Sequence, residues 1–246
     1  MLTADRIGGA LVLLKAVDVA VRGPVELPGG LWLAVLALWV AAGFALLTSQ
    51  GGFTGGRVAW GVVLVAGAGL AFDYPLELRR QHLVLLMGVA LAALVAREVG
   101  ERLLLWRVQL TALYGVSALA KVNESFLGGD VLDRAVVAAP LWSALLPPPP
   151  TLLLIAAGIG LIASEAALAV TPWVRRLRTP GTVLAAGLHG IALVVVSPEP
   201  LVALRLVVFG GTAVLLHAVS AGLLPAAQPN PGPEAVERPS APAPAG

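Results

Sequence analysis

Residues 29–48 read GGLWLAVLALWVAAGFALLT, a run of 20 residues without a single charged side chain. A transmembrane α-helix needs about 20 predominantly apolar residues to cross the hydrocarbon core of a bilayer. Several other runs along the chain reach a similar length. The sequence therefore predicts an all-α fold, a polytopic membrane helical bundle.

The composition of the whole chain agrees with a lipid environment. Of the 246 residues, 58% are hydrophobic and 12% are charged, with a mean hydropathy of +0.90. A soluble domain has about 25% charged residues. The formal net charge of +2 is small and its arginines are scattered, which argues against a nucleic-acid partner. Cysteine is absent, and this excludes disulfides, thiolate catalysis, iron–sulfur clusters and cysteine-ligated zinc.

The hydrophobic runs predict about eight transmembrane helices. Gly- and Pro-rich turns such as RGPVELPGG and SQGGFTGG separate them. The first helix and the fourth are short for a full crossing, so seven or nine crossings also fit. The predicted helices are 5–22, 29–48, 57–73, 82–97, 102–122, 151–171, 180–197 and 201–223.

Two segments do not fit a membrane span. Residues 123–150 mix acidic and apolar residues and end in four prolines, which predicts an interfacial amphipathic segment or a re-entrant hairpin after the fifth helix. Residues 225–246 are rich in Pro and Ala and are predicted to be a disordered tail. The chain would then consist of a transmembrane domain, 1–224, and this tail.

Arginine counts predict the orientation in the membrane. With eight crossings, the loops on alternate sides carry unequal numbers of arginines, and the positive-inside rule places the richer side in the cytoplasm. Both termini would be cytoplasmic in a multi-pass protein of the cell membrane, and Lys121 would lie at the outer end of its helix. The richer side carries Arg6, Arg57, Arg97, Arg102, Arg175, Arg176 and Arg178, and the other carries Arg22, Arg79, Arg80 and Arg134.

The predicted fifth helix carries a polar face that ends in a lysine. Arg107, Tyr114, Ser117 and Lys121 recur at intervals of seven, three and four residues, which places them on one side of the helix. The chain has only two lysines against fourteen arginines. Arginine cannot be deprotonated at useful pH, whereas a desolvated lysine can become a neutral base. Lys121 is therefore a candidate base, and a snorkelling anchor is the structural alternative.

Two further ionisable groups lie deep in predicted helices. Glu165 and His189 each lie about six to nine residues from the turn that joins their helices, or roughly 10–14 Å at helical rise. Similar depth on adjacent antiparallel helices predicts a Glu–His pair, which serves either catalysis or interhelical packing. His82 opens the fourth helix and is either a candidate site residue or a plain boundary residue. No metal is expected, because the three histidines lack metal-ligand spacing.

Other polar residues in the helices are predicted to be structural. Lys15 and Asp18 are three residues apart and are expected to form a paired charge within the first helix. Arg205 is expected to neutralise a buried acid. His217, near the end of the last helix, is expected at the membrane interface.

These residues together resemble the HTTM superfamily, the bacterial relatives of the membrane domain of vitamin K-dependent gamma-carboxylase. The likeness covers most of residues 75–195, and it is similar to the type that matures a sporulation-delaying toxin peptide. The family's hallmark is a tyrosine, a stretch of small residues, a lysine, and then a tryptophan and glycine. Here these positions hold Tyr114, GVSALA, Lys121, Phe126, Leu127 and Gly128, with Gln81–His82 for the family's Asn–His and Glu165, Arg175 to Arg178 and His189 for its Glu…Arg…His.

The resemblance implies a chemistry for these positions. Lys121 would be the base that deprotonates a reduced quinone of the menaquinone or vitamin K type, and His189 would be its proton partner or would stabilise an oxyanion. Tyr114, Glu165 and His82 complete the candidate catalytic set. Besides the lipid bilayer, the implied partners are a precursor peptide and a partner membrane subunit.

The leading functional hypothesis is a membrane-embedded enzyme or enzyme subunit that uses a lysine base for peptide modification or quinone-linked chemistry, as a vitamin K-dependent carboxylase does. The alternative is a non-catalytic membrane assembly subunit or quinone-binding subunit. A third group comprises a cofactor-free peptide epimerase or lyase and a transporter. A transporter would favour broken helices in two matching halves, and no convincing internal repeat is present.

Truncation of the chain after Leu224 should leave membrane insertion and activity intact. The removed residues have no apolar face to bury and too much proline to form a helix. Yield in the membrane fraction and the melting temperature of the purified protein measure the outcome. A loss of folded protein would show that the tail packs on the bundle.

Overall fold

The computed structural model describes residues 3–23, 28–48, 53–73, 80–138, 147–196 and 200–224, and all regular structure within these ranges is helical. The long helices are α1 (Ala4–Arg22), α2 (Gly29–Thr48), α3 (Phe53–Asp73), α4 (Arg80–Val95), α5 (Val99–Ala120), α8 (Thr151–Val170), α9 (Arg178–Val196) and α10 (Pro200–Ser220). Two short helices, α6 (Glu124–Leu127) and α7 (Asp130–Ala138), lie between α5 and α8, and a 3-10 helix (Arg175–Leu177) lies between α8 and α9.

The predicted all-α membrane fold is confirmed, but not the number of crossings. Each predicted long helix is present, with ends displaced by up to four residues. Five segments are long and apolar enough to cross a membrane: Gly29–Thr48, Val99–Ala120, Thr151–Val170, Arg175–Val194 and Val202–Ser220. The apolar stretches of α3 and α4 are shorter, and α1 is interrupted by charged residues. The chain is therefore a helical membrane protein, and eight crossings stay a prediction.

Polar side chains of the long helices donate hydrogen bonds to backbone carbonyl oxygens of neighbouring helices. The Trp39 indole in α2 donates to the carbonyl oxygen of Val12 in α1 over 2.7 Å. The Gln109 amide in α5 donates to the carbonyl oxygen of Leu85 in α4 over 2.8 Å. Indole and amide groups within a lipid-facing bundle need such partners, because lipid provides none.

Glycine sets the distance between α1 and α2. A Cβ atom added to Gly9 would lie 2.6 Å from the carbonyl oxygen of Gly43 and 2.6 Å from the amide nitrogen of Leu47. Both atoms belong to the backbone and cannot rotate away. Without a hydrophobic driving force between helices in lipid, close packing at small residues is a main source of helix association.

A buried carboxylate joins the first and last helices. Asp18 is 0% exposed, and its carboxylate accepts from Lys15 Nζ at 2.5 Å and from Arg205 Nε at 3.0 Å. The guanidinium group of Arg22 also donates to it. These contacts confirm the predicted Lys15–Asp18 pair and the predicted role of Arg205. Because an uncompensated buried charge is strongly destabilising, this cluster fixes α1 against α10.

The segment after α5 packs beside the N-terminal half of α8. The Asn123 side chain caps α6 by accepting from the amide of Phe126 at 3.0 Å. The Phe126 carbonyl lies 3.0 Å from the Cβ position of Gly158 in α8, and Gly129, at φ +88°, turns the chain into α7. These contacts place residues 126–129 beside α8, and the interfacial and re-entrant alternatives for residues 123–150 both stay predictions. Residues 139–146 and the predicted tail lie outside the described residues.

The replacement Gly9→Ala should destabilise the bundle by about 1–3 kcal/mol, because the new methyl group meets the backbone of α2. Thermal unfolding of the purified protein measures the change. The matched control is Gly160→Ala, since nothing lies within 4 Å of the Cβ position of Gly160 in α8. An equal melting temperature for the two variants would contradict the packing of α1 on α2.

Candidate functional site

The Lys121 side chain folds back along α5. Lys121 is the C-cap of this helix, and its ammonium group donates to the hydroxyl of Ser117 at 2.6 Å and to the Ser117 carbonyl at 3.3 Å. Ser117 lies one turn earlier, towards the middle of α5. The charge therefore points into the bundle along the helix rather than away from its end.

The carboxylate of Glu165 in α8 completes the contact. Lys121 Nζ donates to both carboxylate oxygens, at 2.9 Å and 2.8 Å, and the Ser117 hydroxyl donates to Oε1 at 3.0 Å. The three side chains form a closed hydrogen-bonded group across two helices, called the lysine cluster below. The side chains of Lys121 and Glu165 are 24% and 10% exposed, so the amine is the more accessible of the two.

This geometry does not match a snorkelling anchor. A snorkelling lysine extends its amine past the end of its helix into the headgroup region. Lys121 instead turns towards the helix centre and reaches Glu165, which lies 14 residues from the start of α8, or about 21 Å at helical rise. The ring of Phe126 lies 5.9 Å from the ammonium group and contributes a cation–π contact.

A second polar pair lies one turn further down the same face of α5. The Tyr114 hydroxyl and the His189 Nε2 atom of α9 are 2.8 Å apart and share a hydrogen bond. Tyr114 is 2% exposed, so this bond is made inside the bundle. Two more rings of α10 surround the pair: the His217 ring centre is 5.6 Å from that of Tyr114, and the Phe209 ring is edge-on to His189 at 5.4 Å.

The predicted pairing of Glu165 with His189 is wrong. Glu165 binds Lys121 and Ser117, and His189 binds Tyr114. The two residues lie at similar depth, as expected, but the polar face of α5 meets both and supplies a nearer partner to each. Helix depth alone therefore did not determine the pairing.

The burial of His217 was not predicted from the sequence, and its expected position at the membrane interface stays a prediction. This residue is 1% exposed and belongs to the core, where its ring packs on Tyr114. Neither ring nitrogen has a hydrogen-bond partner among the residues that the structure describes. The sequence offered one indirect signal, since His217 lies in a helix whose other residues are almost all apolar.

The remaining candidates do not join these two groups. His82 lies in the first turn of α4, but its side chain is outside the part of the structure that can be described. Arg107 shares the face of α5 but lies seven residues before Tyr114, towards the turn between α8 and α9. Within the described residues, no group of three or more His, Cys, Asp or Glu side chains could hold a metal ion.

Comparison with known proteins found no match: no family model matches the chain, and no curated protein or solved structure matches it significantly. The likeness to the HTTM superfamily therefore stays a prediction. Two features bear on function: the lysine cluster, formed by Lys121, Glu165 and Ser117, and the pair of Tyr114 and His189 beside it.

A double-mutant cycle on thermal stability should show coupling between Lys121 and Glu165. Removing either partner leaves a partly buried charge, so Lys121→Met and Glu165→Gln should be non-additive, with an interaction energy on the order of 1 kcal/mol or more.

The matched control is the cycle of Glu165→Gln with His189→Asn. These two side chains share no contact, so their effects should add within about 0.5 kcal/mol. Strong coupling in the control cycle and none in the Lys121–Glu165 cycle would contradict the contacts described here.

Proposed function

We propose that this chain is a membrane-embedded enzyme, or the subunit of one, in which Lys121 and Glu165 act as an acid–base pair. The observation that supports it is the contact of the Lys121 ammonium with both oxygens of Glu165 inside the bundle, with Ser117 bridging the two. Ionisable residues within membrane helices are costly, and they commonly mark functional sites.

The lysine cluster can produce a neutral amine without a net change in charge. In the ion pair, the mobile proton is on Lys121 Nζ. Its transfer to Glu165 leaves a neutral amine beside a neutral carboxylic acid, and the sum of charges is zero before and after. Such an exchange avoids the desolvation cost of an isolated ion in a low-dielectric interior. The neutral amine can then accept a proton from an acidic O–H or C–H group of a substrate.

Ser117 and the Tyr114–His189 pair extend this capacity. The Ser117 hydroxyl accepts from the amine and donates to the carboxylate, so it can relay a proton between them. Tyr114 holds the imidazole of His189 through Nε2, which fixes the orientation of the ring. His189 is the proposed proton partner or oxyanion stabiliser one turn away. His82 stays a candidate through the resemblance alone.

The cofactor proposed for this cluster is a reduced quinone of the menaquinone or vitamin K type. When bound, such a molecule would supply an ionisable aromatic hydroxyl group and two reducing electrons. Lys121 would receive a hydrogen bond from that hydroxyl, and the ring of Phe126, at 5.9 Å from Lys121 Nζ, would contribute an apolar wall. The buried nitrogens of His217, without partners in the described part of the chain, provide polar atoms for a second oxygen.

The proposed partners come from the resemblance to the HTTM superfamily, and the proposed orientation comes from the arginine counts. A precursor peptide would be the substrate of a peptide-modifying enzyme, and a partner membrane subunit would complete it. In the cell membrane, the arginine distribution supports cytoplasmic termini.

A second function is favoured by the same salt bridge. An ion pair between α5 and α8 is also a suitable interhelical link, and a non-catalytic assembly or quinone-binding subunit needs no mobile proton. The two functions differ in what they require of Lys121: a link needs a positive charge, whereas a base needs an amine that can lose its proton.

The variant Lys121→Arg should fold and lose activity. The protein is placed in nanodiscs with menaquinol under air, and the disappearance of the quinol is followed against empty nanodiscs. We expect the wild type to accelerate it, and we expect Lys121→Arg to fall by a factor of at least about 100, the usual contribution of a general base.

Two controls separate the functions. The variant Arg134→Lys changes an exposed arginine on α7 and should keep full activity, and the melting temperature of each variant reports folding. Full activity in a folded Lys121→Arg protein would contradict the base. A wild type that binds menaquinol without accelerating its loss would favour the non-catalytic subunit.

A further inference from the structure

The turn between α8 and α9 is fixed against α5 by a chain of hydrogen bonds. The indole of Trp173 donates to the Thr111 hydroxyl at 2.6 Å, and that hydroxyl donates to the carbonyl oxygen of Ala169 at 2.8 Å. On the other side of the turn, Gly181 of α9 approaches Thr171 so closely that an added Cβ would lie 2.5 Å from its hydroxyl. The turn therefore has a defined position on the side of α5.

This contact brings arginines from two parts of the chain together. Arg107 lies four residues before Thr111, on the same face of α5. Arg178 begins α9, and its Nε atom donates to the carbonyl oxygen of Pro172 at 3.0 Å, which holds it over the turn. The turn that holds Arg178 is thus bonded to Thr111, one helical turn from Arg107 on α5. Arg175 and Arg176, both exposed, lie in the 3-10 helix just before Arg178.

The positive charge of this group is not balanced within the described ranges. None of the four arginines forms a salt bridge with a described carboxylate, and the buried Nε atom of Arg107 has no hydrogen-bond partner there. Two neighbouring guanidinium groups repel each other, and the repulsion is stronger where lipid lowers the dielectric constant. An anion between them removes it.

The turn joins two candidate membrane spans. If α8 and α9 cross the membrane, the turn between them would lie at one membrane surface, and the residues of α5 before Arg107 would extend beyond that surface. Trp173 is 45% exposed, and the side chains of Val174 and Leu177 are exposed beside the arginines. Tryptophan is enriched at membrane interfaces, where its ring sits at the level of the headgroups.

We propose that Arg107 and Arg178, flanked by Arg175 and Arg176, bind the phosphate of an anionic phospholipid. Guanidinium groups bind phosphate oxygens in a bidentate manner, which matches two forks from different helices. An anionic headgroup is favoured over a zwitterionic one, because basic clusters beside membrane helices attract net negative charge.

Such a lipid would join the helices that carry the candidate site. Arg107 belongs to the helix of Lys121 and Tyr114, and Arg178 begins the helix of His189 directly after that of Glu165. A phosphate bound by both arginines holds these three helices in register. This inference is independent of the reaction, since it requires only the positions of the helices.

The full chain is tested in phosphatidylcholine nanodiscs with and without phosphatidylglycerol. We expect phosphatidylglycerol to raise the melting temperature of the wild type, and native mass spectrometry to find it retained after gentle delipidation. In Arg107→Gln and Arg178→Gln, phosphatidylglycerol should bind roughly tenfold more weakly, as expected for the loss of one charged hydrogen bond. The matched control, Arg134→Gln, removes one exposed positive charge elsewhere and should bind like the wild type.

Three outcomes would overturn the proposal. An equal loss in Arg134→Gln would show diffuse charge attraction. Equal stabilisation by inorganic phosphate in phosphatidylcholine discs would identify free phosphate as the ligand. A photoreactive phosphatidylglycerol should label residues 104–111 or 171–181 of the wild type, and labelling confined to other segments would contradict the site even where a glutamine variant fails to fold.

Discussion

Carboxylates buried inside this bundle need hydrogen-bond donors from the same chain, because lipid offers none. Two ionic groups meet this requirement and also fix how the helices pack. The carboxylate of Asp18 binds cations from α1 and α10 and so joins the first helix to the last. The carboxylate of Glu165 binds Lys121 and Ser117 and so joins α5 to α8. Apolar packing and glycine contacts fill the space between these fixed points.

Properties that depend on one helix could be predicted from the sequence, whereas the partners of Glu165 and His189 in other helices could not. Hydropathy located every long helix, and helical spacing placed Tyr114, Ser117 and Lys121 on one face, as the structure has them. The Lys15–Asp18 pair is also local, three residues apart. The partner of Glu165 depends on which helix packs nearest, and depth in α8 says nothing about that. The burial of His217 was not predicted for the same reason, since it comes from α5 packing on α10.

The lysine cluster shows why a structural role and a catalytic role are hard to separate by contacts alone. The hydrogen bonds from Lys121 and Ser117 to Glu165 hold two helices together, and in the proposed function they would also carry a proton between the amine and the carboxylate. Arginine would preserve the first property and abolish the second, because its guanidinium group does not lose its proton. The chain has fourteen arginines and only two lysines. This preference for arginine supports the view that position 121 requires a property that only lysine has.

Helix α5 connects the two sites that the structure suggests. Arg107 and Lys121 are 14 residues apart on its sequence, or about 21 Å along a straight helix. A helix transmits a displacement along its axis with little loss, because its backbone hydrogen bonds resist stretching. A phosphate that drew Arg107 towards Arg178 would therefore also shift Lys121 along the axis of α5 relative to Glu165, to which its hydrogen bonds are 2.8–2.9 Å long. The lipid composition of the membrane would then influence the proton chemistry of the cluster through helix position alone.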